Sequence, residues 1–74
     1  MPQLPLLSGQ EIIKILAKIG YQIARQRGSH IRLSCPNRKS ITVPNYPQVS
    51  RELLRKILRD AELPASDFLN LIEK

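Results

Sequence analysis

The chain has 74 residues and a formal net charge of +6, from 12 Lys and Arg residues against 6 Asp and Glu residues. This length allows one compact domain of marginal size and excludes an enzyme built around a large cofactor cleft. A hydrophobic content of 42% is too high for a disordered chain. We therefore expect residues 1–74 to form a single domain, with residues 1–7 as a short leader.

The basic residues are concentrated in the middle of the chain. Residues 14–59 hold eleven Lys and Arg residues and one acid, Glu52, which gives this block a net charge of +10. Such a block favours a polyanionic partner, with nucleic acid as the leading candidate, and a generally basic solvent-facing surface as the alternative.

Cysteine and histidine usage bears on compartment and metal binding. Cys35 is the only cysteine and His30 the only histidine. A small domain without a disulfide is typical of a reducing compartment, so we expect a cytoplasmic protein. One cysteine and one histidine cannot build a four-ligand zinc site, and we expect no metal and no cofactor. No apolar stretch approaches the ~20 residues of a membrane span, so we expect no membrane partner.

The first predicted element is a helix over residues 9–19. Ser8 and Glu11 have the spacing of a capping box, and Gly20 stands where a left-handed C-terminal residue is expected. The apolar side chains between them recur at helical spacing. They are Ile12, Ile15, Leu16 and Ile19.

A strand over residues 21–27 and a hairpin turn come next. The strand alternates in part, which predicts that Tyr21 and Ile23 share one face. Gly28 and Ser29 then break the pattern as a tight hairpin turn would.

The second strand, over residues 30–35, alternates cleanly. His30, Arg32 and Ser34 are predicted on a polar face, and residues 31, 33 and 35 on an apolar face. A polar turn over residues 36–39 and a third strand over residues 40–43 follow. Pro44 ends this strand because proline cannot donate to a strand ladder.

Two further helices complete the chain. Ser50 is a candidate N-cap for a helix over residues 51–61, and Pro64 precedes a short helix over residues 65–73. The resulting order is α-β-β-β-α plus a last helix. We therefore predict an α+β domain with a three-stranded antiparallel sheet and its helices on one face.

His30 is the candidate for chemistry. Histidine can take a proton from a hydroxyl and return one to a leaving group near neutral pH. RNA carries a 2′-hydroxyl beside each phosphate, so a base that removes this proton creates an internal nucleophile. Neighbouring Arg or Lys side chains can stabilise the charge on the phosphorus. The alternative is an ordinary surface histidine.

Basic side chains on the strands, and an arginine stripe at positions 51, 55 and 59 of the second helix, could follow an RNA backbone. A solvated helix face and an ordinary hairpin glycine are the alternatives. The predicted RNA contacts are Arg25, Arg27, Gly28, Ser29, Arg32, Lys39, Arg51 and Arg55. Aromatic residues make up only 4% of the chain, which disfavours a base-stacking sheet and favours recognition of structured RNA or of the backbone of messenger RNA.

The order of several short motifs resembles the HicA (YcfA-like) toxin family. The most specific motif is Arg-Gln-Arg-Gly-Ser-His at residues 25–30. The others are Leu-Ser-Gly at 7–9, Gly-Tyr at 20–21, Thr-Val-Pro at 42–44 and Leu-Arg-Lys-Ile-Leu at 54–58.

The resemblance implies a fold like a double-stranded RNA-binding domain and a messenger RNA interferase of a type II toxin–antitoxin system. It carries the family's catalytic histidine onto His30 and implies a HicB-type antitoxin that covers the active site. Many family members have a second histidine where Asn45 and Tyr46 stand here. A non-catalytic RNA-binding or partner-binding module of the same fold is therefore the alternative function.

Overall fold

A computed structural model of the chain describes residues 3–72. The sheet is antiparallel, with strand order β1-β2-β3. The predicted α+β class and the α-β-β-β-α order with a final helix are confirmed. Residue 73, predicted in the last helix, lies outside the described residues. The elements are α1 (Gly9–Ala17), β1 (Gln22–Arg27), β2 (His30–Cys35), β3 (Arg38–Pro44), α2 (Arg51–Asp60) and α3 (Ala65–Ile72).

The predicted capping box begins α1. The Ser8 hydroxyl accepts from the Glu11 N–H at 3.1 Å, and the Ser8 N–H donates to the Glu11 carboxylate at 2.9 Å. The helix ends at Ala17, two residues before the predicted end. The next turn is tighter because its N–H groups bond three residues back, and Gly20 then adopts the predicted left-handed backbone with φ 108°.

The second and third helices begin at their predicted residues, 51 and 65. The Ser50 hydroxyl accepts from the Leu53 N–H at 3.1 Å, which caps α2 as predicted. This helix ends at Asp60, one residue before the predicted end. In α3, Phe68 is fully buried and belongs to the hydrophobic core.

The helices leave strand β1 uncovered. Both α1 and α2 pack against β3, whereas all six residues of β1 are exposed. Ile23 is opposite Leu33 in the ladder and so lies on the core face of the sheet, but the helices leave it uncovered. Tyr21 precedes the strand and is 2% exposed, while Ile23 is 55% exposed and lies next to a register shift of the ladder.

The predicted alternation of β2 is confirmed. His30, Arg32 and Ser34 are exposed, and Ile31 and Leu33 are completely buried. The apolar face of this strand therefore enters the core, and its polar face is open to solvent.

The third strand is longer than predicted. It begins at Arg38, so the turn before it holds Pro36 and Asn37 alone rather than residues 36–39. Asn37 has φ 67°, and asparagine tolerates the positive φ that the second position of a type II turn requires after proline.

The segment predicted as a leader contributes to the core. Leu4 is 2% exposed, and the Val49 N–H donates to the Leu7 carbonyl at 2.7 Å, as part of an isolated bridge between the two segments. Residues 3–72 include no helix with the length and apolar character that crossing a bilayer requires.

Candidate functional site

His30 is the first residue of β2 and follows a two-residue hairpin turn. It lies opposite Arg27 on β1 and Pro44 on β3. Gly28, the first turn residue, has φ 55°, which is the left-handed backbone that a tight hairpin of the type II′ pattern requires there. A Cβ at this position would meet no described atom within 4 Å, so backbone conformation rather than crowding explains the glycine.

The hairpin turn is tied to the segment that leaves β3. The Ser29 carbonyl accepts from the Asn45 N–H at 2.6 Å, and the Gly28 carbonyl accepts from the Gln26 side-chain amide at 3.2 Å. With paired strands on both sides, the backbone of His30 has a fixed position in the sheet.

The N-terminus of α1 supports the same region. The Gly9 N–H donates to the Tyr46 carbonyl at 2.9 Å, and the Gln10 side-chain amide donates to the Asn45 side chain at 3.0 Å. The start of the helix, the end of β3 and the hairpin turn therefore form one connected support for His30.

Three arginines lie around His30 on the exposed face of the sheet. Arg25 is opposite Arg32 in the ladder, and the Arg32 guanidinium donates to the Thr42 hydroxyl at 3.0 Å. We call this concavity of about 320 Å³ the arginine hollow. Its lining residues are Arg25, Arg27, His30, Arg32 and Thr42.

A second concavity, of about 390 Å³, lies between β3 and α2, and we call it the edge groove. His30, Arg32 and Thr42 line both concavities. The helix side of the edge groove is formed by Leu53, Lys56, Ile57 and Asp60, and the strand side includes Ser40, Thr42 and Pro44. His30 is thus accessible from two directions.

The structure brings together five of the predicted RNA contacts and separates three. Gly28 and Ser29 form the turn beside His30, and Arg25, Arg27 and Arg32 line the arginine hollow. The other three, Lys39, Arg51 and Arg55, lie outside both concavities.

Arg51 has a structural contact instead. Its Nε donates to the Leu4 carbonyl at 2.6 Å, so the predicted arginine stripe begins with a side chain that holds the N-terminal segment. Lys39 offers its carbonyl to the hydroxyl of buried Tyr21 at 2.9 Å, near the opposite end of β3 from His30. Burial raises the pKa of this Tyr21 hydroxyl, and the neighbouring Cys35 thiol adds to the increase.

The sequence-based reasoning missed Thr42, Tyr46 and Asp60 as lining residues of the edge groove. The sequence does indicate this groove through the short connection between β3 and α2, because a short connection makes the helix run back along the strand. Residues 53, 56, 57 and 60 then share one side of the helix, facing the strand. Within residues 3–72, no group of three or more His, Cys, Asp or Glu side chains is arranged to hold a metal ion.

Comparison with known families identifies the family to which the chain belongs. A family model described as "HicA toxin of bacterial toxin-antitoxin" matches residues 9–63, about three quarters of the chain. The chain belongs to the HicA toxin family. It is therefore a toxin of a toxin–antitoxin system, whose family pairs with an antitoxin. The matched region spans α1, the whole sheet and α2. Comparisons with curated proteins and with solved structures found no match.

Proposed function

We propose that this HicA toxin is an endoribonuclease that cleaves messenger RNA through His30 and needs no metal ion. The observation that carries the proposal is the arginine hollow, in which the only histidine of the chain lies among Arg25, Arg27 and Arg32. A base surrounded by cations suits a reaction that removes a proton next to a phosphate.

The proposed reaction uses the nucleophile that RNA itself supplies. The imidazole of His30 accepts the proton of a 2′-hydroxyl, and the 2′-oxygen attacks the adjacent phosphorus. The bond from phosphorus to the 5′-oxygen breaks, and this oxygen takes a proton from the imidazolium. The products are a 2′,3′-cyclic phosphate and a free 5′-hydroxyl. No oxidant, reductant or cofactor is needed for this balance.

The surrounding residues have separate proposed roles. Arg32, which the Thr42 hydroxyl holds at 3.0 Å, stabilises the negative charge on the phosphorane-like transition state. Arg25 and Arg27 bind phosphates of the same strand, and the turn at Gly28 and Ser29 lets the RNA backbone approach closely. The more distant Lys39, Arg51 and Arg55 remain predicted RNA contacts outside this centre.

The proposed partner is a HicB-like antitoxin that covers His30 and the basic face. Acidic groups on such a partner would complement the +10 block of residues 14–59 and exclude RNA from the arginine hollow. We also propose that the toxin acts in the cytoplasm, where its messenger RNA substrate is found.

A second candidate function is a non-catalytic module that binds double-stranded RNA or a protein. The observation that favours it is at Asn45, where the sequence lacks the second histidine of many relatives. Its side chain accepts from Gln10 and its N–H donates to Ser29, which are structural contacts.

The deciding experiment compares the wild type with His30→Ala on purified messenger RNA, with and without EDTA. We expect the substitution to reduce cleavage by about 10²-fold or more, and EDTA to have no effect. The control is Ser34→Ala, on the same exposed face of β2 but outside both concavities. Mapping of the RNA ends should find cyclic phosphates, and 2′-O-methylation at a cut site should block cleavage.

Each contrary result has a distinct meaning. Undiminished cleavage by the His30→Ala variant would refute the assignment of the base. RNA that is bound with a steep dependence on salt, yet never shortened, would favour the non-catalytic module. Loss of cleavage in EDTA would refute the metal-independent mechanism.

A further inference from the structure

The edge groove contains one acidic side chain among its cations. Asp60 is exposed, and it is the one Asp or Glu residue that lines either of the two concavities. The groove also carries Arg32 and Lys56, whose charges suit a phosphate. A carboxylate repels phosphate, so a groove used for the RNA backbone alone would bind it better without Asp60. The charge pattern therefore favours a ligand group that donates hydrogen bonds at this position.

The fold itself gives Asp60 no structural role. It is the last residue of α2, where the partial negative charge of the helix C-terminus makes a carboxylate unfavourable. Among residues 3–72, its side chain has no hydrogen-bond or ion-pair partner. The carboxylate therefore neither caps the helix nor holds a neighbouring segment, and both of its oxygens are available to accept from a ligand.

Lys56 and Asp60 are neighbours on the groove side of α2. They are four residues apart, which places their Cβ atoms about 6 Å from each other on the helix surface. Ile57 of α2 and Ile41 of β3 are buried and line the same groove, so part of its surface is apolar. A pair of acceptors and a donor therefore lie side by side next to an apolar surface, which suits a planar group with a polar edge.

The Watson–Crick edge of guanine matches this pair of side chains. Its N1–H and N2 amino groups are adjacent donors that a carboxylate accepts with both oxygens, and its neighbouring O6 accepts from an ammonium group. Adenine and cytosine have an acceptor beside their amino group, and uracil has a carbonyl on either side of its N–H. These three bases would each turn an acceptor toward the carboxylate. In a duplex this edge is paired, so only an unpaired guanine offers it.

The edge groove leads from the proposed reaction centre to the end of α2. The Arg38 guanidinium donates to the Ala61 carbonyl at 3.0 Å, which holds the C-terminal end of α2 beside the start of β3. His30 is opposite Pro44, at the other end of this strand. Since the groove follows β3 for about four residues, or about 13 Å, an RNA strand with a phosphate at His30 reaches Asp60 within a few nucleotides.

We propose that the edge groove binds one unpaired guanine of the RNA and that Asp60 selects this base. The carboxylate accepts from the N1–H and N2 amino groups, Lys56 donates to O6, and the ring packs on the apolar part of the groove. RNA is favoured over an acidic segment of the antitoxin because Asp60 repels such a segment. This inference rests on the proposed RNA substrate, and it adds a base preference to the proposed function.

The first test measures binding of the wild-type toxin to 2′-O-methylated uridine oligomers, which lack the 2′-hydroxyl nucleophile. One oligomer carries a single guanine, a second carries hypoxanthine at the same position, and a third carries uracil alone. Hypoxanthine keeps the N1–H and O6 of guanine and lacks its amino group. We expect guanine to bind at least about tenfold more tightly than uracil and about fivefold more tightly than hypoxanthine. Equal affinity for guanine and hypoxanthine, or no binding of any oligomer, would overturn the proposal.

The second test repeats these measurements with Asp60→Ala. We expect the guanine preference to fall below about twofold, while affinity for the uridine oligomer stays equal or rises because a negative charge is removed. The matched control is Glu52→Ala, which removes the same charge from an exposed position of α2 outside both concavities and should keep the preference. If Asp60→Ala raises affinity for every oligomer by one factor, Asp60 only repels RNA and the proposal is wrong. Circular dichroism checks the folding of both variants.

The antitoxin is the competing occupant of the groove, so it is titrated against the same two variants. If Asp60→Ala weakens antitoxin binding and leaves the guanine preference unchanged, the groove belongs to the antitoxin and the proposal is wrong. Neither binding test measures cleavage, so the two proposals fail separately. A guanine preference without cleavage would refute the nuclease and support the guanine site, whereas cleavage without a guanine preference would refute the guanine site alone.

Discussion

Gly9 is the first residue of α1, and it lies directly against the segment that leaves β3. A methyl group at Gly9 would lie 2.0 Å from the Pro44 carbonyl oxygen and 3.0 Å from the Asn45 Cα. That segment is held by hydrogen bonds from Gly9 to Tyr46 and from Asn45 to Ser29. Because the nearest atoms belong to the backbone, no side-chain rotation relieves the clash, and Gly9→Ala must move α1 away from the end of β3.

Two effects of Gly9→Ala oppose each other. Higher helix propensity favours alanine by roughly 0.5–1 kcal/mol, whereas a forced backbone shift costs about 1–3 kcal/mol. We expect a net loss of about 1–2 kcal/mol, which lowers the Tm of a domain this small by roughly 5–15 °C. We also expect weaker cleavage, because the displaced Pro44 is the ladder partner of His30.

Thermal unfolding followed by circular dichroism measures the effect of Gly9→Ala. The matched control is Lys14→Ala, which places the same side chain at an exposed position of the same helix. Its Tm should change much less. A Tm that rises in Gly9→Ala would mean that propensity dominates, and would refute the close approach of α1 to β3.

Two further predictions concern buried and surface charge. Burial raises the pKa of the Tyr21 hydroxyl above its usual 10.0, so the hydroxyl ionises at lower pH in the unfolded chain than in the folded one. The neutral hydroxyl therefore adds to the free energy of unfolding below pH 10, and this contribution is lost as the pH rises further. Tyr21→Phe removes the hydrogen bond to the Lys39 carbonyl and should lower the free energy of unfolding by about 1 kcal/mol near neutral pH. In urea denaturation, the variant should also lose less of its free energy of unfolding above pH 10 than the wild type does; an equal loss would contradict the prediction. Replacing Arg25 and Arg27 by glutamine should reduce the slope of log K for RNA against log salt by about 1–2. A slope equal to that of wild type would show that neither residue contacts RNA. The control is Lys14→Gln, at an exposed position of α1 outside both concavities.

Local patterns in the sequence predicted most of the fold. The capping box at Ser8, the N-cap at Ser50 and the left-handed Gly20 depend on residues within one helical turn of each other, and all three are confirmed. The alternation of β2 is confirmed for the same reason, since one face of a central strand must enter the core. Such features need no knowledge of distant neighbours.

The features that the sequence did not predict depended on distant neighbours. The environment of Ile23 follows from which strands the helices cover, and no pattern within residues 21–27 contains that information. The contact of Arg51 depends on a carbonyl 47 residues away, at Leu4, which spacing along the helix alone does not indicate. The edge groove likewise arises only when α2 packs beside β3.

The exposure of the site has a consequence for the control of the toxin. His30 is exposed on the face of the sheet, and no element among residues 3–72 covers it. We therefore expect inhibition of the toxin to come from its antitoxin partner. His30, Arg32 and Thr42 line both the arginine hollow and the edge groove, whereas Arg25 and Arg27 line only the hollow. An antitoxin that covers His30 and Arg32 therefore competes directly with RNA for the residues proposed to carry the reaction.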